Sequence, residues 1–179
     1  MAKLKKRLLI VDGYNVLRSG SRYRNLAGPD YTSDTFNRAR ETLVNDVAAY
    51  AGRNTRSIIV FDGGRNEFST GETQKVGGVR IMFSPAGSSA DKVIEKLAYD
   101  ARVRGIETMV VSSDATIQNT VFAEEISRMS AEGFSHEIYM RVEDNRVDRN
   151  LQIAEKNTLE ERIDSDTLNK LKKLRDEIL

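Results

Sequence analysis

Residues 8–15 read Leu8-Leu9-Ile10-Val11-Asp12-Gly13-Tyr14-Asn15, an apolar run that stops at a carboxylate and a glycine. A short run of branched apolar residues bounded by a turn dipeptide is typical of a strand buried in a parallel sheet. In an open α/β sheet, ligands bind outside the carboxyl ends of the strands. We therefore predict a first strand over residues 7–12, with Asp12 at the end of the strand where a site would form.

Similar apolar runs recur along the chain and alternate with segments of helical periodicity. Further strands are predicted at residues 57–62, 79–83 and 107–112, with a fifth near 137–142. Helices are predicted at residues 34–51, from Ser88 or Ser89 to Gly105, and at roughly 115–131. This alternation predicts a three-layer α/β fold, with a mainly parallel central sheet flanked by helices.

The length and composition favour a single domain over residues 1–179, because 39% of the 179 residues are hydrophobic. From about residue 143 the chain becomes polar and ends in an amphipathic helix at about 165–178. The apolar stripe of this helix consists of Leu168, Leu171, Leu174 and Ile178. We expect the stripe to pack on the body of the protein.

Several classes of protein are disfavoured by what the sequence lacks. Without cysteine there is no thiolate nucleophile or zinc-thiolate site. The first predicted strand is not followed by G-x-G-x-x-G, so we expect no nicotinamide or flavin cofactor, and there is no phosphate-binding P-loop. A lone histidine, His136, cannot form a histidine pair for RNA cleavage. With no apolar stretch of membrane-spanning length and no signal-peptide pattern, we expect a cytoplasmic protein.

Acidic residues follow the predicted strands at positions that a parallel sheet would bring to one edge. Asp12 ends one predicted strand, Asp114 follows the strand at 107–112, and Asp91 lies in the first turn of the helix after the strand at 79–83. Converging carboxylates repel one another, and Mg²⁺ or Mn²⁺ relieves that repulsion. Asn15, one helical turn past Asp12, can bind a metal-bound water or a phosphate, and Asp62 is a possible additional acid. Each aspartate alone is also explained as a turn or cap residue, and only their joint placement favours a metal site.

Basic residues flank Asp12 on both sides and would suit a polyanion, although a solvated surface gives the same pattern. The candidates for contacts to RNA are Arg18, Arg22, Arg24 and Arg128. Arg128 is equally explained as a structural arginine that pairs with a helix end. The whole chain is nearly neutral, with 28 basic and 27 acidic residues, so net charge alone indicates no partner.

Motifs spread over the chain resemble those of the YacP-like family of NYN domains, whose fold is similar to that of PIN nucleases. The opening motif is Leu9-Ile10-Val11-Asp12-Gly13-Tyr14-Asn15-Val16. Further similar segments are residues 59–62, 88–95, 110–114 with Gln118, 128–131 and 157–164. Glu125 departs from the pattern, because a glycine is expected at that position.

This resemblance implies a metal-dependent endoribonuclease that cleaves RNA. It places Asp12, Asp91 and Asp114 in the catalytic acidic cluster, with Asn15 beside them, and implies Mg²⁺ or Mn²⁺ as cofactor. It also implies messenger RNA as substrate and the ribosome as partner. Two other functions remain open at this point: a non-catalytic RNA or ribosome adaptor, and a small-molecule phosphohydrolase that uses the same acids.

Overall fold

A computed structural model describes residues 7–27, 33–63, 71–122 and 126–162, together with Thr167, Lys170 and Lys173. The Lys3 to Lys6 segment, Glu125 and the apolar stripe of the predicted C-terminal helix lie outside the described residues. The chain divides into two compact units, Met1–Ile138 and Tyr139–Leu179. No helix in the described part of the chain is both long enough and apolar enough to span a membrane.

Strands and helices alternate through the first unit, as the sequence predicts. The strands are β1 Arg7–Asp12, β2 Thr55–Phe61, β3 Thr73–Val76, β4 Val79–Phe83, β5 Glu107–Val111 and β6 Ile126–Met129. The helices are α1 Gly13–Ser19, α2 Ser21–Ala27, α3 Ser33–Ala51, α4 Ala90–Val103, α5 Ala115–Thr120 and α6 Ala131–Arg162. The predicted strands at 7–12, 57–62, 79–83 and 107–112 and the helices at 34–51 and from Ser89 are confirmed to within about two residues.

The six strands form one sheet in the order β3-β4-β2-β1-β5-β6. Every described pairing is parallel except that of β3 with β4, so the sheet is mainly parallel, as predicted. β1 lies at the centre, and the chain builds β2 to β4 on one side of it before crossing to β5 on the other. The strand order therefore reverses beside β1, where a crevice opens at the carboxyl ends of the strands.

Side chains alternate between two cores, one on each face of the sheet. Leu9 and Val11 of β1 belong to a core shared with α1, α2, α3 and the first turns of α6. Ile10 belongs to a second core shared with α4 and α5. Burial on both faces explains why β1 is apolar at every position from Leu8 to Val11. Helix, sheet and helix thus form three layers, and the predicted α/β architecture is confirmed.

The helix predicted at 115–131 is wrong, because α5 ends at Thr120 and residues 126–129 form β6. Ile117 and Val121 are buried, but Phe122, which the helical stripe would bury, is 72% exposed. β6 then pairs with β5, with Val110 opposite Arg128. Hydrogen bonding to an open sheet edge replaces the helical turns that the spacing of the apolar residues suggested.

The strand predicted near residues 137–142 is also wrong, because these residues lie within α6. Ala131, Phe134 and Ile138 are buried at helical spacing, whereas Tyr139 and Met140 are exposed. The sequence also left α1, α2 and β3 unpredicted. β3 is exposed at each of its positions. It reaches β4 through Gly77 and Gly78, whose φ angles of 57° and 87° suit a tight hairpin turn.

Candidate active site

Asp12 ends β1 and begins α1, because its side chain caps the helix that follows the strand directly. Asp12 Oδ1 accepts a hydrogen bond from the backbone N–H of Asn15 at 3.2 Å. Its Oδ2 accepts one from the Ser112 hydroxyl at 3.0 Å. Only 6% of Asp12 is exposed. The strand end therefore delivers a buried carboxylate whose two oxygens are both oriented by neighbours.

The surroundings of Asp12 disfavour its charged form. Burial, with smaller contributions from the charges of Asp91 and Asp114, raises the pKa of Asp12 from 3.8 to about 6, against the lowering effect of the hydrogen bonds from Asn15 and Ser112. A carboxylate held at neutral pH in such a place is destabilised until a cation or proton binds. The site is therefore prepared for positive charge.

Asp91 lies in the first turn of α4, at the entrance to the same crevice. The helix is capped by Ser89, whose Oγ accepts from the Lys92 N–H at 3.4 Å, so Asp91 is not the cap. Partial burial raises the pKa of Asp91, and Asp114, Glu95 and Asp62 add to the rise. The acids that the sequence placed at separate strand ends are thus close enough to repel one another.

Asp114 follows β5 and caps α5, since its Oδ1 accepts from the Thr116 N–H at 2.7 Å and the Ile117 N–H at 3.4 Å. The Asp114 N–H donates to the Ser112 hydroxyl at 3.1 Å. Because that same hydroxyl donates to Asp12, Ser112 joins two of the predicted acids through one oxygen. Asp114 therefore caps its helix and is also linked to Asp12 through Ser112.

Asn15 ties α1 to the neighbouring strand end, since its Oδ1 accepts from the Ser113 N–H at 2.7 Å. Asp62 follows β2 and accepts a hydrogen bond from the buried Ser84 hydroxyl at 2.9 Å. Ser112 and Ser84 were not among the predicted site residues. A serine that directly follows a buried strand and precedes an acid, as Ser112 does, is the sequence signal that could have identified the first of them.

A cavity of about 730 Å³ opens at this edge of the sheet and collects most of the predicted residues. Its walls include Asp12, Asn15, Arg18, Asp62 and Asp91. Tyr14 and Phe36 add an aromatic wall, with their rings stacked at 5.8 Å. Among the described residues that line it, the cavity thus combines carboxylates, one cationic side chain and apolar rings.

The donors at this edge suit a hard divalent cation, because they are carboxylate and amide oxygens. In the described residues, however, no three His, Cys, Asp or Glu side chains are grouped closely enough to hold a metal ion together. Mg²⁺ keeps several waters and is commonly bound through only one or two carboxylates. The residues therefore fit a hydrated ion held directly by one or two aspartates.

The predicted RNA-binding arginines are placed in four different environments. Arg18 lines the cavity, with its guanidinium 5.7 Å from the centre of the Tyr14 ring. Arg22 forms two hydrogen bonds to Asp46, at 2.7 Å and 3.2 Å, so its charge is used within the fold. Arg24 is exposed at the end of α2. Arg128 donates to the Gln118 carbonyl at 2.6 Å, away from the cavity.

The comparison with known families settles which group of proteins this architecture represents. The sequence model described as "YacP-like NYN domain" matches residues 9–176, nearly the whole chain. The chain belongs to the YacP-like NYN-domain family. The resemblance seen in the motifs is confirmed, and this membership supports a nuclease.

Relatives in sequence and in structure agree with that assignment. The chain is 29% identical over 136 residues to the uncharacterized protein YacP of Bacillus subtilis (strain 168), covering 73% of this chain and 74% of the relative. The crystal structure of Rae1 (YacP) from Bacillus subtilis is similar with a TM-score of 0.60 and 26% identity, covering 94% of each chain. The crystal structure of a point mutant of Rae1 gives a TM-score of 0.61 and 26% identity, with 84% of each chain covered.

Proposed function

We propose that this protein is a metal-dependent endoribonuclease that hydrolyses phosphodiester bonds of RNA. The observation that carries the proposal is the cavity beside β1, which Asp12, Asp62 and Asp91 all line. Family membership supports the nuclease class, and the charges of the acids support a cation.

The residues divide the work between binding the cation and orienting its ligands. Asp12, Asp91 and Asp114 would hold Mg²⁺ or Mn²⁺, directly or through water. Such an ion would supply an activated water and neutralise charge on the leaving oxygen. Ser112 orients Asp12 through its 3.0 Å hydrogen bond. Asn15 fixes the adjacent loop after β5 through Ser113.

Arg18 is the basic side chain placed to hold a phosphate of the bound RNA, since it lines the same cavity. Contacts to phosphate position the strand without reading its sequence. With a net charge of only +1, the chain has little general attraction for RNA. We therefore propose that selectivity comes from the ribosome, with messenger RNA as the substrate in the cytoplasm.

The test replaces Asp91 by Asn and compares it with Asp100→Asn, a partly buried acid further along the same helix. Purified protein is incubated with RNA, and separately with a sugar phosphate, in the presence of Mn²⁺ or of EDTA. We expect RNA cleavage by the parent and by Asp100→Asn only with the metal, and none by Asp91→Asn. RNA binding without cleavage by the parent would indicate an adaptor, and hydrolysis of the sugar phosphate alone would indicate a phosphohydrolase.

The ribosome is tested separately, by comparing a naked transcript with the same transcript under translation. We expect slow or unselective cleavage of the naked RNA and defined cleavage sites on translating ribosomes. Identical rates and sites in both reactions would remove the ribosome from the proposal and leave the nuclease intact.

A further inference from the structure

A second cavity, of about 410 Å³, lies between α4 and residues 120–122 at the end of α5, with Ile126 of β6 also in its lining. We call this surface, with the adjoining Arg128, the α4 groove. The side chains that define it are Lys92, Lys96, Tyr99, Arg102, Phe122 and Arg128. No part of the reaction proposed above uses this groove.

Two large aromatic side chains of the groove are open to solvent. Tyr99 is 58% exposed and Phe122 is 72% exposed. Each carries a guanidinium over its ring, Arg102 at 5.4 Å from Tyr99 and Arg128 at 4.6 Å from Phe122. Exposed aromatic rings collected in one concave surface mark a binding site more often than isolated surface residues do.

The Phe122 stack is held in place by the backbone. Arg128 donates to the Gln118 carbonyl at 2.6 Å, which orients its guanidinium toward the Phe122 ring. A planar cation fixed on an aromatic ring forms a platform on which a nucleobase can stack. The platform exists before any ligand binds, so stacking on it requires little ordering of the protein.

The charge of the groove favours a nucleic acid over an apolar peptide. Four cationic side chains belong to the groove, and Glu95 is the acid among the described residues that line the cavity; the cations are Lys92, Lys96, Arg102 and Arg128. The sequence also places Glu124 and Glu125 just after Phe122, so stacking is the more specific feature of this surface. Aromatic rings interleaved with lysine and arginine are the combination that binds single-stranded nucleic acid.

The groove adjoins the proposed active site at the start of α4. Asp91 is at the start of α4 and Lys92 follows it, so the helix leads from the cavity of the acids into the groove. A chain of hydrogen bonds makes a second link: Ser112 donates to Asp12, Gln118 Nε2 donates to the Ser112 carbonyl at 2.6 Å, and Arg128 donates to the Gln118 carbonyl. An RNA strand that runs from the acids along α4 would pass Lys96, Tyr99 and then Arg102.

We propose that the α4 groove binds the single-stranded RNA that flanks the cleavage position. Bases stack on Phe122 and Tyr99, and backbone phosphates contact Lys92 and Lys96. This inference rests on the proposed function, since the RNA in the groove is the substrate of the neighbouring acids.

The first test measures binding of fluorescent single-stranded RNA in EDTA, so that cleavage does not interfere. Loss of the stacking of one base, worth about 1–3 kcal/mol, should weaken binding of Phe122→Ala by about 5- to 160-fold. Phe122→Trp should bind as well as the parent, whereas Phe122→Leu should resemble Phe122→Ala because it keeps apolar bulk without an aromatic face. Tyr99→Ala has a matched control in Tyr139→Ala, since both tyrosines are 58% exposed.

The second test separates stacking from charge through the salt dependence of binding. The slope of log K against log salt is negative, and Lys96→Ala should make it less steep by about 0.7, the value for one phosphate contact on a single strand. Phe122→Ala should leave that slope unchanged. Arg80→Ala removes an exposed charge on β4 and should change neither the affinity nor the slope.

The outcomes distinguish the groove from the nuclease. If the parent cleaves RNA and both Phe122→Ala and Tyr99→Ala bind RNA as tightly as the parent does, the inference about the groove is wrong and the proposed function stands. Binding that depends on both rings in a protein that cleaves no RNA overturns the nuclease and supports the groove. If Phe122→Ala is unstable, Phe122→Trp and Phe122→Leu replace it. Tighter RNA binding by the Trp variant than by the Leu variant supports stacking, and equal binding overturns it. Unchanged RNA affinity together with loss of a protein ligand assigns the surface to a protein and overturns the inference.

Discussion

Replacing Asp12 by Asn should stabilise the metal-free protein at neutral pH, although Asp12 lies at the centre of the proposed site. The pKa of Asp12 rises from 3.8 to about 6, chiefly through burial. A rise of this size corresponds to about 3 kcal/mol that the folded protein loses when this carboxyl ionises. Asparagine has nearly the same shape and carries no charge, so it escapes that loss.

The gain is offset in part by hydrogen bonding. Asp12 accepts from the Asn15 N–H and from the Ser112 hydroxyl, and an amide replaces one acceptor oxygen by a donor. Loss of one such hydrogen bond costs about 1 kcal/mol. The net stabilisation of Asp12→Asn expected at neutral pH is therefore about 2 kcal/mol.

The pH dependence has a definite sign. Because the folded pKa lies above the unfolded one, the folded state binds the proton more tightly, and its advantage is complete below pH 3.8. That advantage is lost as the pH rises through about 6. Asp12→Asn should therefore gain stability over the parent between those limits and show no charge-related gain in acid.

Urea unfolding of the parent and of Asp12→Asn in EDTA, repeated from acid to neutral pH, measures this difference. Asp100→Asn serves as the control for removing an acid elsewhere. Mg²⁺ or Mn²⁺ should stabilise the parent and not the variant, because the ion binds the charged folded site. If Asp12→Asn is less stable than the parent at neutral pH in EDTA, or the difference between them does not vary with pH, the account of a destabilised carboxylate is refuted.

Further predictions concern the arginines, the close contact at the start of α1 and the products of cleavage. Arg22→Ala should lower the free energy of unfolding by about 1–3 kcal/mol through its lost bonds to Asp46 and leave the salt dependence of RNA binding unchanged. Arg18→Ala should instead make the plot of log K against log salt less steep by about 0.7. Equal slopes in both variants would contradict the assignment of Arg18 to RNA and of Arg22 to the fold. Gly13→Ala would place its Cβ 2.4 Å from the buried Phe61 ring, so urea unfolding should show a loss of about 1–3 kcal/mol. If Gly13→Ala is as stable as the parent, the Phe61 ring moves aside without a loss of stability. Cleavage by metal-activated water should leave a 5′-phosphate and a 3′-hydroxyl and should tolerate one deoxyribose at the cut, whereas cyclic phosphate ends found by end-group analysis would exclude that mechanism.

The parallel core of the sheet was predictable because its strands are buried on both faces. A strand in that environment is apolar at consecutive positions and ends abruptly, as residues 8–12 and 57–62 show. The cap of α4 was predictable for a similar local reason, since Ser89 precedes an amphipathic run. In each case the signal lies in consecutive residues of the sequence.

The edge of the sheet could not be predicted in the same way. β6 has only four residues, of which the two central ones are exposed, so neither strand alternation nor continuous burial marks it. These residues become a strand because they pair with β5, from which α5 separates them in the sequence. The strand predicted at residues 137–142 is wrong because the few apolar side chains there fit both the strand period and the helix period. The burial of Ile138 against the core selects the helix.

By itself, the sequence determined that acids follow the ends of buried parallel strands, because local burial and turn chemistry place Asp12 and Asp114 there. Only the tertiary structure decided that these acids are neighbours, since β1 lies between β2 and β5 in an order that local patterns do not contain. It also decided that Arg22 pairs with Asp46, whereas Arg18 faces the cavity. Short-range preferences act within a few residues, but the approach of distant side chains depends on how whole elements pack.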